Sequence, residues 1–307
     1  MPEIHLSKSI IVGVSPEVAY ASVRDFKQWP VWSPWLITEP GCEVNFSEDG
    51  SSYSWEGEVI GSGTLSVMKE SAPRLIDLDL VFLKPWKSRA GVKMRFASKD
   101  EGTEITWTMK SSLPPFLFWM KNTMIAAIRM DYERGLRMLK DHLETGEVPT
   151  QLSFAGESFD AIHFIGITSA CSIEDIGESM EADFGKLKSW LTESGSEPTG
   201  YPRSVYHKWD IVKGRASYSV GFPMAVSDDP LPEGISAREF PAMKTFAITH
   251  TGPYRHLGNA WAAGIMRERG KKIRQRRGVH PFEIYKTMPG GISENETVTV
   301  VHFPVKD

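Results

Sequence analysis

Two hydrophobic periods divide the first half of the chain. From Cys42 to Ser112, apolar and polar residues alternate in short runs separated by turn residues: SYSWEGEVIG, GTLSVMKE, LIDLDLVF, AGVKMRFAS and TEITWTMKS. A period of two predicts antiparallel strands, and SKDEGTE predicts a hairpin turn between the last two. Upstream, IHLSKSIIV predicts an opening strand. Ser15-Pro16-Glu17 then reads as a helix start, with a cap, a proline at the first helical position and an acid in the first turn. That helix is expected to reach about Phe26, and QWPVWSPW is expected to be non-helical because of Pro30 and Pro34. Downstream the period lengthens. Leu117, Met120, Met124, Ile128, Tyr132, Leu136, Leu139 and Leu143 recur at steps of three and four, with Arg129, Glu133, Arg137 and Lys140 on other faces. This predicts a long helix that stops near Gly146, followed by a linker, GEVPTQLS.

The second half repeats itself. FDAIHFIGIT (Phe159–Thr168) aligns without a gap to FPAMKTFAIT (Phe240–Thr249). SVYHKW (Ser204–Trp209) aligns to EIYKTM (Glu283–Met288), and YSVGFPM (Tyr218–Met224) to VTVVHFPV (Val298–Val305). A helix is predicted inside each copy. The first buries Ile173, Ile176, Met180, Phe184, Leu187 and Leu191 and ends at Gly195; the second runs from about Tyr254 to Gly270 with Leu257, Trp261 and Ile265 on one stripe. Three matched segments in one order predict a duplicated βαββ unit. Its half-sheets would pair about a pseudo-two-fold axis and leave a groove between them.

A length of 307 residues suits two domains, placed at 1–148 and 152–307. The net charge of −4 argues against a general nucleic-acid binder. The N-terminus has no basic segment leading into an apolar one, and PPFLFWMKNTMIAAIRM is interrupted by Lys121 and Asn122, so neither a signal peptide nor a membrane span is expected. The two cysteines, Cys42 and Cys171, lie far apart, which predicts reduced thiols in a cytoplasmic protein without a zinc site. GSGTL lies between strands and is too short for a dinucleotide fingerprint; no P-loop, Gly-x-Ser-x-Gly or His-Glu-x-x-His occurs. Neither a cofactor nor a metal is expected. Ten tryptophans and eight tyrosines are more informative, since aromatic-rich chains often line cavities for organic ligands.

Candidate chemistry gathers in HPFEIYKTMP. Strand alternation puts Phe282 and Ile284 on one face and Glu283 and Tyr285 on the other. On pattern alone Glu283 is either a solvated strand glutamate or a buried acid that needs a cation, a hydrogen bond or a proton. Its repeat counterpart is Ser204, and the counterpart of Tyr285 is Tyr206, so the two copies are chemically unequal. Tyr254, Tyr285, Tyr206 and Trp261 form the candidate aromatic wall, with core packing as the alternative for each. His250 and His256 are expected on a turn and helix surface, His163 and His302 within strands, and RERGKKIRQRRG (Arg267–Gly278) as a solvated helix end and loop. Trp29, Trp32 and Trp35 fit either a cavity mouth or packing.

The element order and the DFKQWPVWSPW cluster resemble the START-like (SRPBCC, polyketide cyclase/dehydrase) family over roughly residues 3–146. That implies a helix-grip fold: a curved antiparallel sheet wrapped around the long helix, enclosing a cavity. THTGPYRHLGNAW and PFEIYKTMP, with the duplicated strands, resemble the GyrI-like small-molecule-binding family over about residues 152–306. This second resemblance implies that Glu283, Tyr285 and Tyr254 face a ligand groove. Together the two imply an α+β chain whose partner is a small hydrophobic organic ligand, neutral or cationic, bound or sequestered beside Glu283. An alternative is a hydrolase or cyclase acting on an electrophilic natural product with Glu283 as general base. A third is an inhibitor acting through its surface, as the founding GyrI-type protein does on DNA gyrase.

Overall fold

The computed structural model describes residues 3–113, 115–287 and 291–306. The chain divides between Thr150 and Gln151 into two compact units, each mixed α+β with one antiparallel sheet.

The first unit begins with β1 (Glu3–Val12) and α1 (Pro16–Arg24), followed by a 3-10 turn, the short α2 (Trp29–Trp32) and a second 3-10 turn. Six strands follow: β2 (Glu43–Phe46), β3 (Ser52–Glu56), β4 (Ser62–Ser71), β5 (Leu75–Lys84), β6 (Ser88–Lys99) and β7 (Gly102–Ser112). The long α3 (Lys121–Thr145) closes the unit. The sheet order is β1-β7-β6-β5-β4-β3-β2. Alternation does the work the pattern predicted: along β7, Ile105, Trp107 and Met109 are buried while the residues between them are not. Ser15 caps α1 by accepting the Val18 amide at 3.4 Å.

Three details depart from the sequence reading. Pro30 is helical after all, because it stands in the first turn of α2, where its missing N–H costs no hydrogen bond. Arg134 and Met138 are buried on α3 although the apolar stripe omits them. Arg134 tolerates burial because its Nη2 donates to Asp131 Oδ1 at 2.7 Å and to the Pro34 carbonyl at 3.1 Å. Gly135 is the third: a Cβ there would stand 2.9 Å from Pro34 Cδ and 3.0 Å from the Trp107 ring, so glycine sets how closely α3 approaches. The helix stops at Gly146, whose φ of 80° few other residues adopt.

The second unit contains β8 (Gln151–Phe159), β9 (Ile162–Ser172), α4 (Ile176–Ser194), β10 (Arg203–Asp210), β11 (Arg215–Pro223) and β12 (Ile235–Phe240). It continues with β13 (Met243–Thr251), a 3-10 turn at Tyr254–His256, α5 (Gly258–Arg269), β14 (Phe282–Tyr285) and β15 (Val298–Val305). The sheet order is β12-β9-β11-β10-β14-β15-β13-β8. Central strands β10 and β14 run antiparallel with Ser204 directly opposite Glu283. Helix α4 packs on β9 and β11, and α5 on β13 and β15. A Cβ at Gly264 would overlap the Phe303 ring, so α5 lies against β15 at a distance only glycine permits. The opposite face carries a smaller apolar cluster of Val205, Met243, Phe282 and Ile284.

Flanking strands β8 and β12 were not anticipated, and β8 takes up the end of the expected linker. Strand β12 is largely exposed, and in β8 only Leu152 and Phe154 alternate with polar residues before the strand turns exposed, too short a run to announce a strand. Met288 and Pro289, which end the two C-terminal motifs, lie outside the described residues.

Candidate functional site

Alternation along β14 turns Glu283 and Tyr285 toward the helices. Glu283 is 2% exposed. Its Oε2 accepts from the Tyr206 hydroxyl at 2.9 Å and the Tyr285 hydroxyl at 2.5 Å, and its Oε1 accepts from the Trp261 indole N–H at 2.5 Å. The single Tyr285 proton goes to the carboxylate, so Ser204 Oγ, 2.8 Å away, donates back to Tyr285. The donors come from three elements: β10, β14 and α5.

Ring contacts tie the cluster together. Tyr206 meets Trp261 edge-on at 4.8 Å, Trp261 meets Phe303 at 5.5 Å, and Tyr285 meets Phe184 at 5.9 Å and Tyr254 at 6.0 Å. Tyr254 is thus one ring removed from the acid, and at 39% it is the most exposed of the four aromatics. Tyr206 and Trp261 are partly buried and Tyr285 is buried.

Electrostatics follow from burial. Desolvation raises the Glu283 carboxyl above the ordinary carboxylate range, and the donated hydrogen bonds from Tyr285, Trp261 and Tyr206 oppose that rise without cancelling it. Burial, reinforced by the Glu283 charge, pushes Tyr206 and Tyr285 well above the usual phenol value and Tyr254 up to about 12. All three phenols therefore keep their protons at neutral pH. Among the described residues no lysine, arginine or histidine pairs with Glu283. Asp183 on α4, a second buried acid that the pattern did not flag, differs in this respect. It accepts from Tyr218 at 3.0 Å and has Lys186 Nζ at 3.5 Å.

The first unit holds a hollow of about 60 Å³ whose walls include Trp29, Trp35, Tyr53, Trp55, Trp107 and Tyr132, with no charged side chain among its lining. Trp107 stacks on Tyr132 at 4.0 Å. Of the three tryptophans in the sequence cluster, Trp29 and Trp35 line this hollow, and Trp32 is fully buried against Trp29 and Trp107.

Several side residues moved from their expected places. His250 and His256 are buried, not on a surface. The basic run is partly packed: Arg267 lies over the Phe154 ring at 4.0 Å and donates to the Ala263 carbonyl at 3.0 Å. Among the described residues no helix is long and apolar enough to cross a membrane.

Residues 3–144 match the family described as polyketide cyclase / dehydrase and lipid transport, and residues 157–306 match the GyrI-like small molecule binding domain. The chain joins these two domain families in that order. No curated protein is similar enough to match. Several solved structures are similar to parts of the chain at low identity and low TM-score. The EcmrR–DNA complex in EcmrR-RPo is 15% identical, covering 63% of this chain and 73% of that one, with a TM-score of 0.43. CV1439 from Chromobacterium violaceum is 13% identical over 46% of this chain and 97% of that one, with a TM-score of 0.36. SAV2435 bound to tetraphenylphosphonium is 11% identical over 50% and 94%, with a TM-score of 0.39. Glu283, its three donors and Tyr254 all lie within the matched GyrI-like domain.

Proposed function

We propose that the GyrI-like domain takes up a small hydrophobic organic cation in a groove at Glu283, in a cytoplasmic protein that sequesters or carries it. One observation supports this reading above the others: a sealed carboxylate held by three neutral donors with no counter-ion among the described residues. Such an acid is costly to keep ionised in a dry setting, and a lipophilic cation relieves that cost while burying its own apolar surface. The ring faces of Tyr206, Tyr254, Tyr285 and Trp261 add cation–π attraction. Tyr206, Trp261 and Tyr254 are the partly exposed members, so the cation enters on their side and takes the place of the Trp261 indole at Oε1.

The reading includes a duplicated domain. The strand order places β9, β11 and β10 on one side of the centre and β13, β15 and β14 in the same sequence on the other. Counterpart residues Ser204 and Glu283 meet at the middle. One acid at a symmetric seam suits one ligand per domain.

Titration with tetraphenylphosphonium, followed by tryptophan fluorescence, tests the proposal. Glu283→Gln is expected to weaken binding about 100-fold, in line with loss of one partner of a buried charge pair. Equal affinity in the variant discards the proposal.

A second reading rests on the raised carboxyl. A glutamate held above its usual range is a better base near neutral pH, and among the described residues Oε1 accepts one hydrogen bond, leaving a lone pair for water. On this reading the protein hydrolyses an electrophilic cyclopropane. Turnover that disappears in Glu283→Gln supports it, and stoichiometric uptake without turnover rules it out.

A further inference from the structure

The face of the second sheet opposite Glu283 holds a different unmet need. Arg203 lies on β10 one residue before Ser204 and so points the other way. It is only partly exposed, and its Nε is sealed from solvent without a hydrogen-bond partner. No carboxylate pairs with it among the described residues; its guanidinium lies 5.7 Å from the centre of the Phe159 ring. Desolvation alone lowers it to about 10. His302 on β15 is 0% exposed. Its Nδ1 is 3.1 Å from Thr245 Oγ1, while its Nε2 is buried with no partner.

Phe159 joins the two groups. Its ring meets His302 edge-on at 4.8 Å, and His302 stacks on Phe282 at 4.7 Å. Arg203 and Lys286 are both close enough to disfavour a charge on His302, and no acid opposes them there. A neutral histidine and a half-buried guanidinium therefore flank the Phe159 ring, with Phe282 stacked on the histidine and two sealed nitrogens lacking partners among the described residues. Sealed polar atoms without partners are uncommon in folded proteins, and each leaves binding energy unused.

We infer that this face binds a small planar aromatic carboxylate, with the Arg203 fork on the carboxylate and the Phe159 ring against the ligand's ring. A single guanidinium matches a planar monoanion in charge and geometry. The rings supply apolar area that an inorganic anion does not use. Phe240, edge-on to Phe282 at 6.3 Å, extends that area. When Thr245 donates to Nδ1, the neutral His302 presents Nε2–H as a second donor. This site is independent of Glu283, which lies on the other face.

Calorimetric titration of the full chain with sodium benzoate at low salt is the test. Wild type is expected to bind, and Arg203→Met to bind at least about tenfold more weakly, the loss of one charged hydrogen-bonding partner. Arg203→Lys keeps the charge but not the fork and is expected to fall between them, and it serves as the readout if Arg203→Met does not fold. In wild type, benzoate is expected to shift the His302 Nε2 resonance, while benzamide and inorganic phosphate do not. Tetraphenylphosphonium affinity should be unchanged in both Arg203 variants, which separates this site from Glu283. No heat with benzoate overturns the inference, as does equal affinity in Arg203→Lys and wild type, or phosphate competing as well as benzoate.

Discussion

The two domains solve the same problem, lining an interior with aromatic rings, in opposite ways. The N-terminal hollow has space and no charge: about 60 Å³ bounded by tryptophans, tyrosines and aliphatic side chains. The Glu283 cluster has a charge that accepts hydrogen bonds from Tyr206, Tyr285 and Trp261. Space without charge accepts any apolar molecule that fits, because burial is non-directional. A carboxylate ringed by donors selects by charge, but something must give way before a ligand can reach it. Aromatic content alone therefore says little about selectivity; the placement of one ionisable group says more.

The largest effect expected from breaking this contrast is on the hollow's wall. Trp107 stacks on Tyr132 and meets Trp29, Trp32 and Trp35 edge-on, so Trp107→Ala should cost about 3–5 kcal/mol by urea unfolding. A loss below about 1 kcal/mol would mean that the wall is not structural.

Next comes acid. Burial holds His302 at about 3 and His250 at about 4, against an ordinary 6.5. Below pH 6.5 the unfolded chain takes up these protons and the folded chain does not, so stability falls as pH drops from 6.5 toward 4. The slope is about 1.4 kcal/mol per pH unit for each histidine. Glu283 acts in the opposite direction. Its raised carboxyl makes stability fall as pH rises from 4.5 to its folded value, and the two histidines are expected to dominate. His302→Phe should flatten the acid limb by half, and an unchanged limb would assign it elsewhere.

The smallest effect sharpens the comparison most. If the ligand replaces the Trp261 indole, Trp261→Phe removes a competitor while keeping an aromatic ring. Tetraphenylphosphonium should then bind several-fold more tightly, by roughly the 1–1.5 kcal/mol of a hydrogen bond no longer broken. Weaker binding would show that the indole is part of the ligand's wall and not its rival.

How legible was this in the sequence? Elements with a buried face were readable because burial imposes a period: the stripe on α3, the alternation in β7, the stop at Gly146. Strands β8 and β12 were not, since these edge strands are mostly exposed and the alternation at Leu152 and Phe154 is brief. Arg134 was hidden because its burial depends on Asp131 and the Pro34 carbonyl, the latter a hundred residues away in sequence. The candidate acid and the aromatic set around it were legible from alternation, the repeat and the family motifs. Its three donors were not, because hydrogen bonding at Glu283 is decided by how β10, β14 and α5 meet. Nor was the burial of His250 and His256.

The direct pairing of Ser204 with Glu283 also limits how such a fold can diversify. Side chains facing each other across antiparallel strands sit about 5 Å apart. Two ionised acids at these counterpart positions would repel each other in a dry interior, and one would have to stay protonated. Tandem copies that drift apart can therefore keep a full negative charge on one side of the seam only, and Ser204→Glu should leave the protein with the same net interior charge it has now.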